Sequence, residues 1–311
     1  MKKLIGLLLA LLLCVSLAGC SSRELCLGTG PVGGAYDSDG RELSELLDAT
    51  PELAVRPRNT AGSEANLRLM TDGVLQLAMV QSDLLTEAQT KPCGCGAVAV
   101  LYPEYCQIIV PADSPVKTVA DLYGKTVSVG ERESGSCRSA EAILKLYGLD
   151  GTEVTRRHLD YASAIAALEN GEVDGIFITS SAPILPVSEL AEAMDIRFLP
   201  LEEQTMTRLL GTNGGFFAGE IPANTYRGQG SAVPAASVQA LLTASSDVPA
   251  ETVQTVLEML TDEIDLPAAE SLPVRFHPGA AAWYARQGIT VEALDPSSAP
   301  VPRFVGAGQD N

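Results

Sequence analysis

Short apolar runs alternate with helix signals along this chain, and each run opens into a polar or glycine-rich loop, a pattern that restricts it to an α/β architecture built on parallel strands. Leu25 to Leu27 gives way to Gly28-Thr29-Gly30 and then Gly33-Gly34. Leu75 to Val80 is a nearly continuous apolar run, as expected of a strand buried on both faces, and it stops at Gln81-Ser82-Asp83. Ligands of open α/β sheets occupy the crevice beyond the carboxyl ends of the strands, so both loops lie where a binding site belongs. Bare backbone N–H groups in the first loop would let an anion approach closely.

The same alternation organises the rest of the chain. Strands are expected at 25–27, 53–56, 75–80 and 105–110, with helices over 40–47 and from Ser63, a plausible N-cap, to Thr71, with Gly73 just beyond its end. A second lobe opens after Pro111, with a strand over 126–129, the loop 131–136, and a helix from Cys137 to Tyr147 capped by Ser136 and ended by Gly148. A helix over 161–169 and a strand over 173–178 follow, the strand ending in Thr179-Ser180-Ser181, and a strand near 196–199 closes the lobe. A strand over 235–243 and a helix over 250–262 return to the first lobe. Two lobes joined by two crossings place the polar loops on opposite walls of one cleft, the layout of a hinged binding protein.

The start of the chain sets the compartment. Lys2 and Lys3 precede an apolar run from Leu4 to Val15 that is too short to span a bilayer, and the run closes on Leu17-Ala18-Gly19-Cys20. That is the pattern of a bacterial lipoprotein signal, with lipid on Cys20 and an extracytoplasmic, membrane-anchored mature chain. An ordinary secretory cleavage site is the plainer alternative. Without residues 1–20, 19 basic residues face 39 acidic ones, a formal charge of −20. No basic stripe or aromatic series is present, so nucleic acid is not a partner.

Discounting Cys14 and Cys20, five cysteines remain, Cys26, Cys93, Cys95, Cys106 and Cys137, and an odd number leaves at least one thiol free. Cys93-Gly-Cys95 lacks a second Cys pair or a nearby His, so no metal is expected. A bridge from Cys93 or Cys95 to Cys106, closed by a hairpin, is the favoured pairing.

Gly28 to Gly33 also satisfies G-x-G-x-x-G, a dinucleotide signature, but the second strand ends Val55-Arg56-Pro57-Arg58 without the acid that would hold a ribose, so no cofactor is expected. Ser82 and Asp83 could simply cap a following helix. Arg138 could clamp a carboxylate or be a solvated first-turn residue. No G-x-S-x-G elbow or Cys-His-Asn set supports catalysis, so the chain is not read as an enzyme.

Taken together, the glycine loop, Thr60-Ala61-Gly62-Ser63 with Glu64, Asn66, Leu67 and Arg68, Gln81-Ser82-Asp83, Leu101-Tyr102-Pro103-Glu104, Ser134-Gly135-Ser136, Ile221-Pro222 with Tyr226, Gly228 and Gln229, and His277-Pro278-Gly279-Ala280 resemble the TAXI family, the solute-binding subunits of TRAP transporters. The resemblance implies a two-lobed periplasmic binding protein type II-like fold with a ligand cleft between the lobes. It divides the chain into a signal peptide (1–19), a lipidated Cys with a short tether (20–24), one lobe from 24–111 and 226–311, and a second from 112–225. It implies capture of a small carboxylate, a glutamate- or glutamine-like amino acid or a dicarboxylate, for an ion-gradient-driven TRAP-type permease. The ligand residues it implies are Thr29, Gly30, Tyr36, Ser63, Gln81, Ser82 and Asp83 on one wall, and Ser134, Gly135, Ser136, Cys137, Ser180, Ser181 and Ala182 on the other, with Arg138 as the clamp. The chain departs from the family pattern at Asp37-Ser38, where a second tyrosine and a proline are common, and at Cys137, where a threonine is usual. A ligand-sensing or scaffold lipoprotein of the same fold is the second expectation.

Overall fold

The computed structural model of the chain describes residues 23–48, 53–85, 87–212 and 215–295. The expected leader and the lipidation site Cys20 lie outside the described residues. The first lobe begins with β1 (Arg23–Gly28), α1 (Ala35–Leu47), β2 (Leu53–Arg58), α2 (Ser63–Thr71) and β3 (Leu77–Gln81). These strands pair in parallel in the order β2-β1-β3, and every residue of β3 is buried, as its apolar run requires. The buried Asn66 of α2 ties the helix to both neighbouring strand ends, donating from Nδ2 to the carbonyls of Thr29 (2.7 Å) and Met79 (2.8 Å).

After α3 (Glu87–Cys93), the 17-residue β4 (Cys95–Pro111) carries the chain into the second lobe. That lobe contains β5 (Thr126–Ser128), α4 (Gly135–Leu146), β6 (Thr155–Arg157), α5 (Tyr161–Glu169), β7 (Gly175–Ser180), α6 (Leu185–Ala193), β8 (Ile196–Phe198), α7 (Glu203–Leu210) and β9 (Phe217–Ile221). The long β10 (Val233–Ser245) returns to the first lobe, which α8 (Ala250–Met259), α9 (Leu266–Ser271) and α10 (Pro278–Arg286) complete. All ten described strands form one sheet, in the order β2-β1-β3-β10-β4-β7-β5-β6, with β8 on β4 and β9 on β10.

Strand direction places the site. β10 runs antiparallel to both β3 and β4, so β3 and β4 point the same way, out of the first lobe, whereas β7 runs antiparallel to β4 and points back. The carboxyl ends of β3 and β7 therefore face each other. Ala240 of β10 is level with both Gln81 and Tyr102, while Ser180 is level with Tyr105. Three residues of β4, roughly 10 Å, separate the two strand ends.

Each lobe has its own core. Leu27, Val55, Leu77, Val98, Leu241 and Trp283 pack together in the first. In the second, Ile108, Val110 and Phe177 pack on one face of the sheet and Ile109, Ile176 and Ile178 on the other, the period-2 alternation of strands covered on both sides. Along β4 the packing passes from the first core to the second between Val100 and Cys106, and along β10 between Val238 and Ala240. The two cores thus meet inside the two long strands.

Differences from the expected elements have local causes. The first helix begins at Ala35 rather than Gly40, because Asp37 in its first turn accepts from the Gly33 amide at 3.1 Å and anchors a stretch that composition alone marks as loop. β4 runs through Pro103, which lies opposite Gln239 two residues from the bulge at Leu101, where the pairing with β10 shifts register between Ala240 and Leu241. The expected Cys106 bridge is not formed. Cys93 bonds to Cys95, and Cys106 is a buried free thiol. The reason is geometric, since Cys95 and Cys106 lie on one extended strand, about 36 Å apart at ~3.3 Å per residue.

Candidate functional site

The facing strand ends enclose a narrow cavity of about 20 Å³ lined from both lobes, room for about one water with the lobes in this arrangement, so a larger solute enters only as the walls part. Tyr36 and Gly34 line it from the start of α1, Ser63 and Gly62 from the start of α2, and Gln81 from the end of β3. The opposite wall holds Ser134, Gly135 and Ser136 at the start of α4, Tyr161 at the start of α5, and Thr179 and Ser180 at the end of β7. Glu104 of β4 lies between them, on the stretch that separates the two strand ends.

The amino end of α4 is built to receive an acceptor. Ser134 caps it by accepting from the Cys137 amide at 3.0 Å, which leaves the Gly135 and Ser136 amides without a partner among the described residues. Helix amino ends favour negative charge, and these amides lie on the cavity wall. Ser136 is held in place, its hydroxyl accepting from the Thr179 amide at 2.9 Å. Gly135 is required by closeness, because a Cβ there would lie 2.3 Å from Cδ of Gln81 in the other lobe. The Gln81 carbonyl Oε1 is buried with no hydrogen-bond partner among the described residues.

The first wall is fixed in the same manner. Ser63 Oγ accepts from the Gln81 amide at 3.2 Å, and the Tyr36 hydroxyl donates to Glu104 Oε2 at 2.7 Å. Burial pushes the Glu104 carboxyl up to about 8, with Asp83 and Asp39 adding to the rise against the Tyr36 and Gln81 hydrogen bonds. Burial, and then the Glu104 charge, raise the Tyr36 phenol well above its ordinary range.

Several residues expected at the ligand lie beside the cavity. Thr29 is buried, its hydroxyl donating to the Arg58 carbonyl at 3.1 Å, and the Gly30 carbonyl accepts from Asn59 at 3.0 Å. Ser82 bridges the crossing strands, donating to the Gly215 carbonyl at 2.7 Å and accepting from the Gln239 amide at 2.9 Å. Asp83 is fully buried, with Arg138 Nε 3.7 Å from its Oδ2. Arg138 is therefore placed on a carboxylate of the protein and does not line the cavity. Burial pushes Asp83 up to about 7 even though Arg138 opposes the rise. Cys137 turns toward His158, 3.7 Å from its Nδ1, with a thiol that burial pushes up to about 11. The Ser181 carbonyl accepts from Gln107 at 3.1 Å, and Ala182 precedes a cis proline, Pro183.

The sequence pattern passed over Glu104, Tyr161, Thr179 and Gly34 as cavity residues. For Glu104 one signal was available, an acid within the Tyr102-Pro103-Glu104 stretch of a strand otherwise apolar. Tyr161 carries no such mark, and it reaches the cavity only because the closed lobes bring its ring 2.9 Å from where a Cβ on Gly34 would sit.

Two lobes on a shared pair of strands, with a lined cavity between facing strand ends, define the fold of the two-lobed periplasmic binding proteins. The aliphatic sulphonate binding protein SsuA of Escherichia coli superimposes with a TM-score of 0.50 at 19% identity, over 85% of this chain and 79% of that one. The alkanesulfonate-binding protein SsuA of Xanthomonas axonopodis, bound to MOPS, gives 0.50 at 20% identity over 88% and 81%. The arginine-, lysine-, histidine-binding protein ArtJ of Geobacillus stearothermophilus gives 0.51 at 14% identity over 77% and 90%. At these identities the likeness is one of fold. Residues 27–288 match the NMT1-like family, and the chain belongs to it.

Proposed function

We propose that the chain is an extracytoplasmic solute-binding protein that takes up a small carboxylate between its lobes and presents it to a membrane permease, tethered to the bilayer by lipid on Cys20. One observation carries this reading. The unpartnered amides of Gly135 and Ser136 from one lobe and the buried, unpartnered carbonyl of Gln81 from the other line one small cavity, with Gln81 packed directly on Gly135. Such a site binds and orients a polar solute, and its hydroxyls are engaged in holding the walls.

The family motifs of the TAXI group support a TRAP-type partner driven by an ion gradient. The solved relatives bind sulphonates or amino acids by their descriptions, which supports a small solute with an acidic group. Calorimetry of the purified full-length chain against amino acids, dicarboxylates and alkanesulfonates tests the reading. A solute should bind, and Ser136→Ala and Gln81→Ala should each weaken it about tenfold or more. Absence of binding across the panel, or indifference to both substitutions, overturns it. Uptake by the chain reconstituted with its permease should follow an ion gradient; uptake that needs ATP would overturn the TRAP assignment alone.

A further inference from the structure

Glu104 is only 2% exposed and lines the cavity, yet no Lys or Arg lies within ion-pair distance of it among the described residues. Arg138, the cation nearest in role, is taken by Asp83. The groups facing Glu104 are Tyr36 and Asp39 from α1, Gln81 and Asp83 from the end of β3, Tyr102 from its own strand, and Tyr161 from α5. None of these is a cation, and two are carboxyls. A buried carboxylate in such surroundings lacks a counter-charge, and desolvated ions are stable only when paired.

Resting on the cleft being a carboxylate site, we propose that Glu104 receives a cationic ammonium group of the solute while the amino end of α4 receives its carboxylate, so that the solute is an α-amino acid of neutral or positive net charge and not a dicarboxylate. The two poles are on the page: a negative one at Glu104 on β4, and a positive one at the Gly135 and Ser136 amides on the opposite wall. The zwitterion of an amino acid presents the complementary pair. A dicarboxylate would bring a second negative charge to a floor that already holds Glu104 with Asp83 behind it.

Binding an ammonium group requires Glu104 ionised. Alone, the carboxyl is held up at about 8 by burial, so at neutral pH an ammonium ligand displaces a proton on binding. Affinity for the solute then rises as pH rises toward 8, by about tenfold per unit between pH 6 and 7.5. If Glu104 instead donated its proton to a ligand carboxylate, affinity would fall over the same range.

The test is calorimetry on the full-length chain with the twenty amino acids, each binder being paired with its des-amino acid, and with glutarate and 2-oxoglutarate. An amino acid should bind, its des-amino partner should bind about 10- to 100-fold more weakly, and repeating the titration in buffers of different ionisation enthalpy should show proton release at pH 7. Glu104→Gln should lose a similar factor for the amino acid and abolish the proton release at pH 7. Equal binding of the des-amino partner, proton uptake in place of release, or tight binding of a dicarboxylate overturns the proposal while leaving the carboxylate site intact. Binding by none of these compounds overturns the carboxylate reading and the proposal together. The des-amino pair needs only the native chain, so the outcome does not depend on how the variant folds.

Discussion

Buried acids at the floor of the cleft set the protein's response to pH. Glu104 and Asp83 titrate at about 8 and about 7 in the folded chain, mainly because burial penalises their charged forms, against ordinary values near 4 when unfolded. Folded values raised above unfolded ones mean that the native state holds more protons, so stability is greatest below about pH 4 on this account and is lost as pH climbs through 7 and 8. The buried His277 is held below the usual histidine range and costs stability only on the acid side, and the buried Cys106 and Cys137 thiols, raised by burial, cost it only above about pH 8 where unfolded thiols ionise, so pH 6.5 to 8 isolates the carboxyls. Urea unfolding of the unliganded chain should show stability falling by on the order of 2 kcal/mol across that window, and Glu104→Gln should flatten most of the slope. A slope unchanged in the variant would place the effect elsewhere. Nothing in the local sequence marks Asp83 as different from a helix-capping aspartate; its burial under Gly215, where a Cβ would come within 2.2 Å of the Asp83 Cα, comes from a segment more than a hundred residues away.

Helix starts are the functional elements here, and their sequence signals were of unequal strength. The Gly148 stop ends α4 as the sequence predicts, but the cap is Ser134 and not Ser136, so the helix begins at Gly135, two residues earlier than a Ser136 cap would allow. The shift exchanges roles, since Ser134 becomes the cap and Ser136 turns into the cavity. In Gly135→Ala the helix itself should be no less stable, because alanine is the better helix former. The added methyl falls on Gln81, however, and must displace that side chain or hold the lobes apart. Solute affinity should drop about tenfold while the unliganded chain keeps its urea midpoint. A loss of midpoint equal to the loss of affinity would show that the glycine serves folding and not closure.

At the scale of the whole molecule, closure joins the walls through few contacts. The Glu133 carbonyl accepts from the Ala65 amide at 3.0 Å, and its carboxylate takes a two-pronged pair of hydrogen bonds from Arg68 at 2.9 and 3.0 Å. Both partners of that pair are about half exposed, so it contributes under about 1 kcal/mol to holding the lobes together. Glu133→Ala should therefore raise the radius of gyration of the unliganded chain in X-ray scattering, weaken the solute about two- to fivefold, and leave the liganded radius as in the native chain. Equal unliganded radii would remove this latch from the closing equilibrium. The alternation of strand and helix, the strand-end loops and the walls that carry Tyr36, Ser63, Gln81, Ser134, Gly135, Ser136 and Ser180 were legible in the sequence because periodicity, glycine stops and capping residues act within a few positions of themselves. The length of β4, the Cys93–Cys95 bridge, the capture of Arg138 by Asp83 and the place of Glu104 at the cavity floor were not legible. Each of these depends on which strands lie side by side and what burial does to a charge, and both are settled only when distant segments pack.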